Sequence, residues 1–396
     1  MAQALEGLRV IDSSAVVAGP FTAALLAEFG AEVIKVEMPG SGDSGRGLGP
    51  HYKGESLRWP TFGRNKKSLS LDLRKEEGKD IFLKLIAKSD MLIENFRTGT
   101  LDKWGLDAET LKKANPELII IRITGYGQTG PNAKLAGFGT PCNAFSGLTY
   151  ITGHTDRPPV SPSISLADYI AGLYAAFAAV VCAYHRDCNG GGGQEADVSL
   201  FEGIFRLLEG FISQYSTTGI VEERQPIIRS ASPVGTFKSK DEKWFVLTCS
   251  TDKTFANLAH AIGRADMLED PRFNTNAARL ENNDEVERIV GGWLAPRPWA
   301  EIKEKLDTAG APVCLIYSMA DCFNDEHYKA REAFVEVEHP RFGKFHVPGV
   351  TPKLSKTPGQ IKWLGPDLGA HNEDVLGGLL GMSEAEIADL RTKGIL

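Results

Sequence analysis

Short β-prone runs alternate with longer amphipathic segments from Leu8 to Thr124, and this alternation constrains the fold more than any other feature of the chain. "LRVIDSS" reads as a strand, "GPFTAALLAEFGA" as a helix with Pro20 near its first turn and Gly30 after its end, and "EVIKVE" as a second strand. The pattern continues with "EEGKDIFLKLIAKS" as a helix, "DMLIEN" as a strand, "DAETLKKAN" as a helix and "ELIIIRIT" as a strand. Strands that alternate with helices build an α/β domain whose sheet is largely parallel.

"ADYIAGLYAAFAAVVCAYHR" follows as a long helix, and "GGGGQEADVSLFEGIFRLLEGFIS" as a turn, a short extended piece and another helix. The texture changes after residue 220. "SPVGTFKSKDEKWFVLTCS" holds two strand-like runs around a polar turn, "TDKTFANLAHAIGR" and the stretch from Asn283 to Leu306 are helical, and "APVCLIYS" is a strand. These predict a second, smaller α+β domain. From residue 330, "EHPRFGKFHVPGVTPKLSKTPG" is extended and rich in Pro and Gly, with little packing signal of its own. "MSEAEIADLRTKGIL" is a final helix with Ser383 as N-cap and Glu386 completing a capping box.

Apolar residues make up 42% and charged residues 24% of the 396, enough for a sizeable core. The net charge of −7 argues against nucleic acid as a partner, because phosphate neutralisation needs a basic face. The six cysteines include no C-x-x-C pair and no His/Cys cluster with zinc spacing, so no metal site is expected. The thiols fit a reducing cytoplasm better than a disulfide framework. The N-terminus lacks a basic leader, which predicts no signal peptide. The apolar run after Asp168, about sixteen residues, falls below the ~18–20 needed to span a bilayer, so no membrane association is expected.

Several local motifs invite chemistry. The first strand–helix–strand unit places Glu37 where a ribose-binding acid would lie, but "VVAGPFTAAL" lacks the G-x-G-x-x-G turn, and Pro20 removes a backbone donor. "GGGGQ" at 190–194 has no Lys-Ser/Thr after it and reads as a turn rather than a phosphate loop. Arg64, Lys66, Lys67, Arg74 and Lys75, with Asn95, Phe96, Arg97 and Lys103, suit either a nucleotide site at the ends of parallel strands or a solvated basic face. Asp168 opens the long apolar helix. On pattern alone it reads as an N-cap, a task Ser163 or Ser165 also fits; the other reading is a nucleophile.

Taken in order, "LEGLRVIDSSAVVAGPFTAALLAEFGAEVIKVEMPGSGD", "RNKKSLSLDLR", "ENFRTGTLDKWGL", "ITGYGQTGP", "SLADYIAGLYA" and "GPDLGAHNEDVL" resemble the class III CoA-transferases, the CaiB/BaiF family that includes formyl-CoA transferase, nearly end to end. The resemblance implies a Rossmann-like large domain plus a small α+β domain, in an interlocked-ring homodimer. Residues 1–210 would form the N-terminal part of the large CoA-binding domain, 220–325 the small domain, and 330–396 a linker that returns to complete the large one.

It also implies a function. A CoA-transferase moves CoA from an acyl-CoA donor to a free carboxylic or dicarboxylic acid through aspartyl anhydride and aspartyl-CoA thioester intermediates. The CoA thioester is a substrate, and no permanently bound cofactor is implied. Asp168 with Gly172 matches the family's D-x-x-x-G nucleophile. CoA contacts carry over to Val16, Leu71, Arg74, Asn95, Phe96 and Lys103, and the substrate side to Val17, Phe138 and Gly139. Met38 departs from the family's Arg near the adenine, and Ala136 from the lysine of the oxalate enzymes, with Lys134 nearby. Val17 and Gly139 replace the Gln and Glu of those enzymes, which argues against formyl-CoA/oxalate exchange and leaves room for a bulkier acid. The match is to members acting on succinyl-CoA with dicarboxylates or aryl-substituted acids. The alternatives are an α-methylacyl-CoA racemase of the same fold, whose histidine is Phe138 here, and a non-catalytic subunit of a hetero-oligomeric transferase.

Overall fold

The computed structural model describes residues 3–225 and 230–396. Residues 1–2, at the start of the expected large domain, and 226–229, inside the expected small one, lie outside the described residues. The chain divides into two compact units, one of residues 1–149, 161–220 and 330–396, the other of 150–160 and 221–329.

The larger unit is built on six parallel strands: β1 Arg9–Asp12, β2 Glu32–Glu37, β3 Lys66–Ser70, β4 Met91–Glu94, β5 Ile119–Thr124 and β6 Glu195–Ser199. Their order is β3-β2-β1-β4-β5-β6, the doubly wound arrangement in which the chain reverses direction between β1 and β4. The strands alternate by residue between two apolar layers. Val10, Ile119, Ile121 and Ile123 face one, with α1 Ala18–Glu28, α5 Leu166–Asn189 and α6 Leu200–Arg206. Ile11, Ile34, Leu69 and Ile120 face the other, with α2 Glu76–Ile86 and α3 Ala108–Ala114. Between α3 and α5 lies α4, Gly139–Phe145.

The C-terminal segment completes the second layer through Val375, Leu376, Ile387 and Leu390. The Asp72 N–H donates to the Ile395 carbonyl at 2.9 Å, sewing the chain end to the strand end of β3. The last helix, Glu384–Thr392, starts on the expected capping box. Glu386 N–H donates to Ser383 Oγ at 3.3 Å, and Ser383 N–H to Glu386 Oε2 at 2.7 Å. The stretch after 330 differs from the expectation. It forms an antiparallel hairpin, Phe334–His339 with Gly343–Pro348, because its apolar residues alternate and Phe342 and Phe345 pack around His339.

The smaller unit holds a three-stranded antiparallel sheet in the order Val313–Leu315, Trp244–Thr248, Val234–Lys238. Phe245 and Leu247 pack there against Phe255, Leu258, Val290, Leu294, Ile302 and Leu306 from three helices. The helical stretch from Asn283 breaks after Leu294 and restarts at Trp299, with Pro298 as its cap. Buried Arg279 ties this unit together, donating to Ser232 O at 2.8 Å, Phe273 O at 2.9 Å and Asp252 Oδ1 at 2.9 Å.

α5 is longer than its apolar run suggested, 24 residues, and by length and composition alone it is apolar enough to cross a membrane. Its stripe of Ala167, Ala171, Ala175, Ala179 and Ala183 is instead buried on the sheet, where small side chains permit close approach. Gly190 closes the helix at a φ of 66°, and a Cβ on Gly193 would stand 2.3 Å from the Leu118 carbonyl oxygen. "GGGGQ" is thus a cap and a tight backbone crossing, as its turn reading required.

Gly172 marks the closest approach of α5 to α1. A Cβ there would meet Phe21 Cδ1 at 2.8 Å and the Ala18 carbonyl oxygen at 3.1 Å, and Thr22 Oγ1 donates to the Gly172 carbonyl at 3.2 Å. A branched side chain would force the helices apart. Gly172→Val is expected to destabilise the protein by about 1–3 kcal/mol, the usual cost of overpacking, measured as a fall in thermal midpoint against Gly210→Ala, where the space beside the glycine is open.

Candidate active site

α5 begins at Leu166, so Asp168 stands third in its first turn rather than at the cap. Ser165 occupies the cap position, without a side-chain capping bond. The pattern-based cap reading of Asp168 is therefore displaced by three residues. Gly172 lies one turn further along the same face, so the close crossing of α1 sets where the Asp168 carboxylate lies. On its other flank the carboxylate lies against Gly139, where a Cβ would come 2.1 Å from Oδ2. No residue larger than glycine fits at 139 with Asp168 in this position.

Asp168 opens onto a cavity of about 170 Å³ lined by Ala15, Val16 and Ala18 after β1, Asn95 to Thr98 after β4, Thr124 and Gly125 at the end of β5, and Leu135 and Phe138 before α4. These are the carboxyl ends of strands on either side of the reversal between β1 and β4, where doubly wound sheets bind ligands. A second cavity of about 120 Å³ shares Ala15 and Phe96 with the first and extends to Met38, Asp43, Leu71 and Trp104. The two adjoining cavities, together termed the groove, have Ala15 and Phe96 as common walls and the carboxylate in the first.

The structure brings together most of the residues singled out from sequence. Val16, Asn95, Phe96 and Phe138 line the first cavity with Asp168, and Leu71 lines the second. Phe96 is held edge-on to Trp104 at 5.1 Å, and its N–H donates to Glu94 Oε2 at 2.8 Å. Burial pushes the Glu94 carboxyl up to about 7. The Asn95 amide is occupied by Ala15, accepting from its N–H at 2.8 Å and donating to its carbonyl at 2.7 Å, so Asn95 shapes the cavity wall. Val17 is buried at the start of α1 and lines neither cavity. Arg74 and Lys103 are exposed and also line neither. Arg74 chelates Asp72 at 2.8 Å and reaches Met38 Sδ at 3.3 Å, which brings its guanidinium to the rim of the second cavity.

Within the basic stretch, Arg64 and Lys66 are buried in ion pairs, while Lys67 is half-buried and Lys75 exposed. Lys66 is buried, donating to Asp12 Oδ2 at 2.8 Å and the Pro20 carbonyl at 2.7 Å. Buried Arg64 pairs with Glu28. Glu37, the ribose-acid candidate, is occupied by Arg46 at 2.7 and 2.8 Å and by Ser68 Oγ at 2.7 Å. Sequence reasoning missed Thr98, Thr124 and Asp43. The signal for the two threonines is topological: each follows a strand on one side of the reversal, which no local spacing reveals.

Burial pushes the Asp168 carboxyl up to about 6, with its own backbone N–H pulling the other way. The favourable end of the helix dipole does not overcome desolvation here. Near neutral pH the group is ionised, and it is more basic than an ordinary carboxylate at about 3.9. The neighbouring Cys142 thiol is pushed up to about 11 by its burial and by the Asp168 charge, which leaves it protonated and inert. Among the described residues lining the first cavity, Asp168 is the one carboxylate and Arg97 the one cation, and none is a histidine, lysine or cysteine.

The raised pKa has a stability consequence. Below about pH 4 the carboxyl is protonated in folded and unfolded chains alike and has no net effect; above about 6 it is ionised in both, and the folded state bears the desolvation cost. Stability contributed by this group is therefore lost as pH rises from about 4 to about 6. Asp168→Asn is expected to raise stability at pH 7 by roughly 2 kcal/mol, with the gain vanishing near pH 4, as read by denaturant unfolding at the two pH values.

The chain matches CoA-transferase family III over residues 5–372. It is 41% identical over 394 residues to a succinyl-CoA–D-citramalate CoA-transferase of Chloroflexus aurantiacus, covering 99% of this chain and 98% of that protein. It is 42% identical over 397 residues to a succinyl-CoA–L-malate CoA-transferase beta subunit of the same organism, again covering 99% of this chain and 98% of that one. The crystal structure of a CaiB/BaiF family protein from Brucella suis aligns with a TM-score of 0.83 at 30% identity, covering 96% of this chain and 100% of that chain. With the parallel sheet, the groove and these matches running the length of the chain, the protein belongs to CoA-transferase family III.

Proposed function

We propose that this class III CoA-transferase moves CoA from succinyl-CoA to a dicarboxylic acid, with Asp168 as the nucleophile. The observation that carries the reading is a single partly buried carboxylate in the first of two adjoining cavities, the second of which is lined by Phe96, Leu71 and Met38. The donor and acceptor classes rest on the similarity to the citramalate and malate enzymes. The relation to a beta subunit leaves pairing with a second chain as the alternative assembly.

The Asp168 oxygen attacks the thioester carbonyl; a C–O bond forms, the C–S bond breaks, and CoA thiolate leaves a mixed aspartyl–acyl anhydride. The thiolate attacks the aspartyl carbonyl, and the donor acid departs as its carboxylate, leaving an aspartyl-CoA thioester. The acceptor carboxylate attacks that thioester and releases thiolate. The thiolate then attacks the acceptor's carbonyl in the new anhydride, which frees Asp168. No proton is consumed and thioester energy is conserved. In the first turn of α1 the N–H groups of Ala18 and Gly19 have no helical acceptor and Pro20 has none to give; Ala18 lines the cavity, so these two donors suit a developing oxyanion. Arg74, which reaches Met38 of the second cavity, and exposed Lys103 suit the phosphates of CoA.

Racemisation needs a second acid/base group facing the α-carbon, and the position where the racemases carry histidine holds exposed Phe138, which lines the Asp168 cavity. The proposed assembly is a homodimer of interlocked rings. Supporting it, the outer face of α5 leaves Leu173, Tyr174, Phe177, Val181 and Tyr184 exposed, an apolar stripe of the kind that marks an interface. A cytoplasmic location fits the six unpaired thiols.

Incubation with succinyl-CoA and hydroxylamine is expected to leave a hydroxamate at Asp168, located by peptide mass spectrometry. Asp168→Ala is expected to lose about three orders of magnitude or more in transfer, and near-normal transfer by that variant would refute the mechanism. Because the nucleophile must be ionised, kcat/KM is expected to fall about tenfold per pH unit below an acid limb near pH 6. A limb near 4 in the pH–rate profile would show that burial does not tune the carboxylate.

A further inference from the structure

We infer that Asp43 is a positioning residue of the transfer site, holding Val16 in a left-handed backbone conformation at the wall of the Asp168 cavity. The inference rests on the assignment of that cavity as the site of transfer. Val16 has a φ of 73°. The other described non-glycine residues with positive φ are Lys53, Asn65, Glu242 and Glu332, so Val16 is the one β-branched residue among them. A branched side chain opposes this conformation, and such outliers persist only where the surroundings over-determine them.

The surroundings here are specific. Val16 N–H donates to Asp43 Oδ1 at 2.8 Å, and the same oxygen accepts from Gly45 N–H at 2.7 Å. Asp43 Oδ2 lies 2.9 Å from Lys35 Nζ, which also donates to the Ser14 carbonyl. Gly45 supports the arrangement from outside, because a Cβ there would stand 3.0 Å from the Val16 carbonyl oxygen. Glu37 accepts from the Asp43 N–H at 3.0 Å and is itself clamped by Arg46. One residue earlier, Ala15 is held on both its backbone groups by Asn95.

The grip coincides with the groove. Ala15, Val16 and Ala18 line the cavity that holds Asp168, while Ser13, Ser14 and Asp43 line the one beside it. Asp43 is thus a wall of one cavity and sets the wall of the other. A buried ion pair is not needed for stability alone, since apolar replacements commonly serve as well. What this pair supplies is a fixed geometry for Val16, the kind of support on which reaction geometry depends within fractions of an ångström.

The decisive experiment removes the grip and then removes the need for it. Asp43→Ala, Asp43→Asn, Val16→Gly and Asp43→Ala/Val16→Gly are compared with the wild-type enzyme for kcat and KM, with folding checked by circular dichroism. Asp43→Ala is expected to lower kcat by about a hundredfold, with a smaller change in KM. Glycine adopts positive φ freely, so adding Val16→Gly to Asp43→Ala is expected to recover about tenfold in kcat. Asp43→Asn keeps an oxygen acceptor for the Val16 N–H, and its kcat is expected to stay within about threefold of wild type.

A folded Asp43→Ala with wild-type kcat, or a folded double variant no faster than Asp43→Ala, overturns the inference. If Asp43→Ala does not fold, the decision passes to Asp43→Asn. A folded Asp43→Asn that loses more than about tenfold shows that the charge facing Lys35, and not the bond to Val16, is what matters. Asp168→Ala, run alongside, reports on the nucleophile alone, so failure of the transfer mechanism and failure of the positioning role give different patterns.

Discussion

The crossing of α5 over the first turn of α1 at Gly172 is the constraint on which the rest of the site depends. Because Gly172 has no side chain, the Ala18 carbonyl and the Phe21 ring come within contact distance of α5. That approach brings Asp168, one helical turn earlier, to the cavity that Val16 and Ala18 line. The alanine stripe from Ala167 to Ala183 extends the same close packing along the sheet. The D-x-x-x-G pattern therefore has a mechanical meaning: the glycine sets the depth of the helix, and the depth sets where the carboxylate lies.

A second constraint lies behind the first. Asp12, Lys35, Asp43 and Lys66 are all buried beside the strand ends, two acids against two bases. Burial opposes the charge on Asp12, but Lys35 and Lys66 outweigh it and hold the carboxyl below the usual range. Asp168 is the contrast. Burial is the largest influence on its carboxyl, and its pKa rises. Two carboxylates in one unit are thus driven in opposite directions, one into a structural lock and one towards a more basic, more reactive carboxylate.

Much of the larger unit was legible in the chain. The strands at Glu32–Glu37 and Ile119–Thr124 are short β-branched runs and the helix from Glu76 is amphipathic, and the alternation of such segments indicated a parallel sheet. The capping box at Ser383 and the turn at Gly190 were readable from residue type alone. Other features were not. The hairpin after residue 330 was hidden by the Pro and Gly content of the segment, although the residues that hold it, His339, Phe342 and Phe345, are close in the chain. The roles of Arg64 and Lys66 were equally hidden, since their partners Glu28 and Asp12 lie a strand or a helix away.

By itself the sequence determined the α/β class, the parallel sheet and the presence of an aspartate followed by a glycine one turn later, because these depend on local periodicity and residue type. Tertiary structure alone decided that Asp168 is not a helix cap, that it lines a cavity adjoining the one lined by Met38 and Leu71, and that its close neighbours include Gly139. The reason is physical. A carboxylate's reactivity is set by its dielectric surroundings and by the charges within a few ångströms, and those are brought together by packing between segments far apart in the chain.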